Sequence, residues 1–271
     1  MAVTVNDIRN AVSDLRLRGL PVCIHSSLSS FGEVQGGPDT IVSGFLSEGC
    51  TVLVPTFSDA FEVAPPPGMR PERNGWDYDH DYGVPDVTET HYTPQTNTIN
   101  RNMGAVPESI LKRVGRVRGN HPINSFTAVG PFSSYLIDGQ RPDNVYYPLQ
   151  TLANLGGYVV LMGVGLDRMT ALHRAEQMAG RRLFKRWAID PDGSVMMADI
   201  GSCSEGFPNL DATLSGLERR VTVGESVWRV FPLQPTLDAA ARAIRDNPEI
   251  TRCHRPRCWI CPDAIAGGPI L

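Results

Sequence analysis

Two short apolar runs, Pro21 to His25 and Thr51 to Phe57, are separated by a polar loop and a segment of helical spacing, and no other feature constrains the chain as strongly. The glycine-containing loop Ser26 to Pro38 leads to Asp39, which reads as the cap of a helix through Leu46. Strand, helix, strand in this order is a βαβ unit. Its strands run parallel because the helix carries the chain back across the sheet. Parallel strands need cover on both faces, so the expected class is α/β.

The 271 residues suffice for one large core, and the expectation is a single domain over 1–271 with a long insertion at about 59–102 and a short cysteine-containing tail at about 250–271. Other elements follow from spacing. A helix from Val5 toward Leu20 has Thr4 and Asp7 as a capping pair and Gly19 as its stop. Further helices are expected from Val106 to Arg113, around Pro148 to Leu155, from Thr170 to Ala179 and near Thr236 to Arg245. Tyr158 to Gly163 reads as a strand, and Leu183 to Ile200, broken at Asp190-Pro191-Asp192-Gly193, as a hairpin. From Asp59 to Asn102 the periodicity disappears, over a length that suits a substrate loop better than a simple connection.

With 25 basic against 29 acidic residues and a net charge of −4, bulk attraction to a nucleic-acid backbone is not expected. The first ten residues lack a basic stretch followed by an apolar run, and no stretch is apolar for the length of a membrane span, so a cytoplasmic location is expected. Six cysteines, three bunched at Cys253, Cys258 and Cys261, do not have the spacing of a secreted disulfide scaffold.

Several groups of residues can carry chemistry. His25-Ser26-Ser27-Leu28 closes the first strand with hydroxyls and backbone N–H groups able to meet a pyrophosphate, although serine-rich turns after strands are common. Neither the dinucleotide fingerprint nor the P-loop lysine is present, which argues against NAD and ATP. In Thr170-Ala171-Leu172-His173-Arg174-Ala175-Glu176, the histidine and glutamate share one helical face, so the carboxylate can fix the imidazole tautomer while the other nitrogen takes a proton. The competing reading is a surface ion pair or a buried histidine with satisfied hydrogen bonds. Arg118, His121 and Ser125 gather near a proline-forced turn, where they either hold phosphate or cap the turn.

The run Trp76-Asp77-Tyr78-Asp79-His80-Asp81-Tyr82, followed by Asp86 and Glu89, places carboxylates beside aromatic faces, which suits either a polycation or water. Cys253-His254-x3-Cys258-x2-Cys261 has the residue types of a zinc knuckle but not the full doubled C-x-x-C pattern, and whether it binds zinc is left open.

These segments occur in an order that resembles the aminoglycoside 3-N-acetyltransferase (antibiotic N-acetyltransferase) family. The matching text includes His25 to Leu28, Gly36-Gly37-Pro38-Asp39-Thr40, Val54-Pro55-Thr56-Phe57, Met103 to Glu108, Arg118 with His121-Pro122, Thr170 to Glu176 and Ala266 to Ile270. The text departs from the family at Arg118-Gly119-Asn120-His121 and through the Asp59 to Asn102 loop.

The resemblance implies an antibiotic N-acetyltransferase-like αβα fold, distinct from the more common acetyltransferase fold. It also implies acetyl-coenzyme A as cosubstrate with no metal required for catalysis, and direct transfer to the 3-amino group of an aminoglycoside, a resistance activity. On the matching positions His173 is the base, Glu176 orients it and Thr170 steadies the oxyanion. His25, Ser26, Ser27, Leu28, Arg118, His121 and Ser125 meet the coenzyme. Asp77 and Glu108 are assigned to the polyamine substrate on charge and position. The alternatives are the same chemistry on another biosynthetic amine, or a catalytically silent binding protein with a zinc tail. Oligomeric state is open, a homodimer among the options.

Overall fold

The computed structural model describes residues 2–86 and 91–271; Glu89, part of the acidic run, lies outside the described residues. The parallel unit forms as the spacing requires. Strand β1 (Pro21–Ser26) pairs in parallel with β2 (Thr51–Pro55), and helix α2 (Pro38–Ser47) crosses between them. On its other side β1 pairs in parallel with β6 (Tyr158–Met162).

Two antiparallel pairs extend this centre. Strands β5 (Phe126–Val129) and β4 (Val117–Arg118) lie beyond β2, and β10 (Ser226–Pro232) and β9 (Arg219–Val223) beyond β6. The seven-stranded order is β4-β5-β2-β1-β6-β10-β9. Chain order reverses at β1, with β2 on one side and the later β6 on the other. In an open α/β sheet that reversal leaves a crevice at the carboxyl ends of the parallel strands.

Each face of the sheet carries its own core. Alternation along β1 sends Val22 and Ile24 to one face, where α1 (Val5–Asp14), α2 and α3 (Ala105–Leu111) pack through residues such as Ile8, Phe45 and Ile110. Cys23 points to the other face, under Leu149, Leu172 and Leu237. Those leucines belong to α5 (Tyr147–Asn154), α6 (Ala171–Met178) and α8 (Leu233–Asp246), and the short helices α4 (Ser133–Ile137) and α7 (Asp211–Leu214) add Leu136 and Leu214 to the same core. The result is the αβα layering expected from the resemblance. A second sheet of three strands is formed by β3 (Glu62–Val63) and the hairpin β7 (Phe184–Ile189) and β8 (Val195–Ile200).

Some boundaries differ for local reasons. Helix α1 begins in a capping box, the Thr4 N–H donating to Asp7 at 2.8 Å, but it ends at Asp14 because Arg16 turns to φ 54°, before Gly19 is reached. Helix α2 is entered through Gly37 and Pro38, so Asp39 is not its cap. Its carboxylate instead accepts from Ser109 at 2.9 Å and Arg113 at 3.0 Å. Among the described residues no helix is long and apolar enough to cross a membrane.

Candidate active site

The crevice at the chain reversal is a cleft of about 780 Å³. One wall is His25 to Leu28, the last two paired residues of β1 and the two that follow, and a second is Gly163 to Gly165 after β6. Gly163 sits at φ 64° where the two loops cross, and a Cβ there would lie 2.1 Å from the Ser30 Oγ, so only glycine lets them approach. The start of α6 supplies Thr170 and His173, and Gly201 and Ser202 enter after β8. The structure thus brings the β1 loop and the His173 segment together, although about 145 residues of sequence separate them.

His173 is held on every side but one. Its Nδ1 donates to Glu176 Oε2 at 2.9 Å, one turn along α6, which leaves Nε2 as the free nitrogen. Tyr146 stacks on the ring with centroids 6.2 Å apart and an interplanar angle of 13°, and Phe207 packs against it at 4.8 Å. Beneath lies Gly201, where a Cβ would fall 2.5 Å from His173 Cγ.

Glu176 in turn receives Arg181 at 2.5 Å and the Ser202 hydroxyl. Burial alone would raise its pKa, but the hydrogen bonds from His173 and Ser202 and the Arg181 charge outweigh that and hold the carboxyl below its usual range. An ionised Glu176 fixes the tautomer that presents a bare Nε2.

Other groups in the cleft are poised differently. Burial, reinforced by the Arg168 charge, lowers His25 to about 4, so this ring is neutral. The Thr170 hydroxyl makes no capping bond at the head of α6. The Tyr146 hydroxyl is buried without a partner among the described residues, an arrangement that costs stability unless something bound supplies one. Tyr146, Gly201, Ser202 and Phe207 were not singled out by sequence. Only the run of small residues after the hairpin, Gly201-Ser202-Cys203, hinted at a tight approach.

Three residues assigned to the coenzyme are placed elsewhere. Arg118 is 4% exposed and spends its guanidinium inside the protein, on the Thr56 carbonyl at 2.7 Å, those of Thr96 and Thr98, and Ser125 Oγ at 2.9 Å. The Ser125 hydroxyl donates to the Thr56 carbonyl at 3.0 Å. His121 accepts the Asn124 N–H at Nδ1, 2.8 Å away, and donates from Nε2 to the Asp199 carbonyl at 2.9 Å. With these bonds satisfied and none of the three lining the cleft, Arg118 and Ser125 tie Thr56, after β2, to the loop at 96–98, and His121 ties its own turn to β8.

The assigned substrate carboxylates also lie off the cleft. Glu108 is exposed and paired with Lys112 at 2.6 Å, and it is Pro107 of the same helix that lines the cleft. Asp77 closes a local turn by accepting the Asp79 N–H at 3.1 Å. The aromatic part of that run is consumed in packing. Trp76 meets Trp187 edge-on at 5.9 Å and carries Arg186 at 4.5 Å, which fixes the run to the small sheet. Among the described residues the only carboxylate side chain lining the cleft is Asp167, 3.4 Å from Arg168. In the tail, His254 is exposed and stands apart from the cysteines, which gather with Cys203 instead.

Comparison with known proteins gives a consistent outcome. The family model for aminoglycoside 3-N-acetyltransferase matches residues 23–245. Aminoglycoside N(3)-acetyltransferase VIII of Streptomyces fradiae is 32% identical over 183 residues, which are 62% of this chain and 59% of that protein. Aminoglycoside N(3)-acetyltransferase VII of Streptomyces paromomycinus is 27% identical over 259 residues, 81% of this chain and 83% of its own. The crystal structure of aminoglycoside acetyltransferase AAC(3)-Xa superposes with a TM-score of 0.73 at 26% identity, covering 90% of this chain and 93% of that one.

Proposed function

Because the chain belongs to the aminoglycoside 3-N-acetyltransferase family, we propose that it transfers the acetyl group of acetyl-coenzyme A directly to the 3-amino group of an aminoglycoside. The observation that carries the mechanism is His173, a residue of the cleft lining, with Nδ1 committed to an ionised Glu176 and Nε2 without a hydrogen-bond partner among the described residues. Nε2 takes the proton from the acceptor amine as its nitrogen forms a bond to the thioester carbonyl carbon. The carbon–sulfur bond then breaks, and the leaving thiolate recovers the proton from the imidazolium.

Glu176 stabilises that imidazolium, and Thr170 donates to the tetrahedral oxyanion from the head of α6. The loop His25 to Leu28 receives the coenzyme, with neutral His25 leaving its negative charge to backbone N–H groups and hydroxyls. We assign the whole chain to one acetyltransferase domain working in the cytoplasm, where its cysteines stay reduced.

A second reading, the same transfer to a less highly charged amine, is favoured by one observation. Asp167 in the cleft is balanced by Arg168, so the described lining offers little net attraction to a polycation. A thiol-release assay with acetyl-coenzyme A, run on aminoglycosides and on simple biosynthetic amines, separates the two readings. Turnover on aminoglycosides supports the first, and turnover confined to the other amines replaces it with the second. His173→Ala should lose roughly a hundred- to ten-thousand-fold in rate while still binding coenzyme. Full activity in that variant would refute the histidine base.

A further inference from the structure

The side chains of Cys203, from the loop after β8, and of Cys253, Cys258 and Cys261, from the tail, converge with their sulfur atoms all within 4.8 Å of one another. We propose that these four cysteines bind one zinc ion as a closed tetrathiolate, and that the ion fastens the C-terminal tail to the loop beneath the catalytic histidine.

The geometry fits the ion. With zinc–sulfur bonds of about 2.3 Å a tetrahedral site has sulfur–sulfur edges of about 3.8 Å, a small contraction from the arrangement seen. All four thiols are free of disulfides. Two backbone N–H groups already point at sulfur, from Cys261 to Cys258 Sγ and from Cys253 to Cys261 Sγ, each at 3.4 Å. Such N–H···S bonds orient thiolate ligands and spread their charge. Of the arginines next to the ligands in sequence, Arg252 is paired with Glu249 and Arg255 with Glu205, so the two N–H···S bonds are the compensation the site itself provides.

Hydrogen bonds from Arg73 and Gly75 hold the end of the tail, while the stretch that carries its cysteines is tied mainly by Asn209, on the Ile250 and Arg252 carbonyls, and by the Arg255–Glu205 pair. Arg252, His254, Arg255, Pro256, Arg257 and Trp259 are exposed, so this stretch contributes few apolar contacts of its own. Where a segment cannot bury enough apolar surface, a metal supplies the missing folding energy. The neighbouring backbones are already pressed together, since a Cβ on Gly206 would fall 2.1 Å from the Thr251 carbonyl.

The other end of the site explains what the staple does. Cys203 directly follows Ser202, which donates to Glu176, and Gly201, which floors the His173 ring. Four thiolates leave zinc no open position, so the ion holds this loop and does not itself activate water or substrate.

The test uses the full chain, purified under reducing conditions without chelator. Elemental analysis by mass spectrometry should find about one zinc per chain, lost in Cys203→Ser and in Cys261→Ser but retained in Cys50→Ala. The intact chain reconstituted with cobalt(II) should show the intense visible bands of a tetrahedral tetrathiolate, a readout that needs no variant to fold. A thiol-competing chelator should lower the thermal midpoint by on the order of 10 °C. Metal-free protein with four freely titrating thiols overturns the proposal. So does iron in place of zinc, or zinc content undiminished by Cys203→Ser.

Discussion

Arg181 and His173 do not touch, yet both are bonded to the same carboxylate, Arg181 through Oε1 of Glu176 at 2.5 Å and His173 through Oε2 at 2.9 Å. Each oxygen of Glu176 therefore has its own task, one neutralising a buried cation and the other setting a tautomer. Arg181 is itself fixed by Thr251 at 2.7 Å and the Pro248 carbonyl at 2.6 Å, so the alignment of His173 is tied to the turn that precedes the cysteine tail.

Glu176→Gln separates these tasks. The amide is nearly isosteric but uncharged, and it strands Arg181, which is 7% exposed. Breaking a buried pair by removing one partner costs about 3–5 kcal/mol, so urea unfolding should show a loss of that size. Assayed where the variant is still folded, kcat should also fall by at least about tenfold, because the amide no longer stabilises an imidazolium. Unchanged kcat with lowered stability would make Glu176 a purely structural anchor.

Arg118→Ala tests the opposite kind of residue. A coenzyme contact would reveal itself as a raised KM for acetyl-coenzyme A at nearly normal stability. A brace that ties the Thr56, Thr96 and Thr98 carbonyls together should instead cost several kcal/mol of stability, about 1–3 for each acceptor left buried and unpaired. Its KM should stay within about twofold of the parent, provided the assay is run below the variant's melting range. A tenfold rise in KM without loss of stability would return Arg118 to the coenzyme site.

These two residues also show what the sequence could reveal. The pairing of His173 with Glu176 is local, set by the pitch of one helix, and so is the βαβ unit that places His25 at a strand end. Arg118 resembled a phosphate ligand because charge and turn chemistry look alike whether an arginine faces water or four oxygen atoms of its own protein. Its partners, Thr56, Thr96, Thr98 and Ser125, come from loops whose proximity depends on sheet order, and sheet order was not written in any local period. For the same reason nothing local placed Tyr146 or Gly201 against the histidine they enclose, and Cys203 stood 50 positions from the next cysteine of its cluster.

Tyr146→Phe should move stability and activity in different directions. Deleting a buried hydroxyl that has no partner among the described residues removes an unpaid desolvation cost, so the melting temperature should hold or rise slightly. The stacked ring over His173 is kept, so the imidazole stays in place. If the hydroxyl meets the bound substrate or the developing oxyanion, kcat/KM should drop by roughly five- to thirtyfold, equivalent to about 1–2 kcal/mol. Comparing thermal melts with steady-state kinetics on the same preparation checks both halves, and an unchanged kcat/KM would confine Tyr146 to packing.

Stability should depend on pH through two buried histidines. Burial lowers His25 to about 4, helped by the Arg168 charge, and it lowers His121 to about 4 against the pull of its backbone hydrogen bonds. The unfolded chain binds protons at these rings from about 6.5 downward, while the native state resists until about 4. The stability they contribute is therefore complete above about pH 6.5 and is lost as pH falls toward 4. Between about pH 7 and about pH 5 each ring should account for about 2 kcal/mol of lost stability. Glu176, whose carboxyl is lowered from 4.5, adds its own loss only below that window. Urea midpoints measured across this range should fall steeply in the parent and less steeply in His25→Asn, which has no ring to protonate. A parallel profile in the variant would mean that His25 accepts its proton in the native state, and would open it to a role as an acid in the cleft.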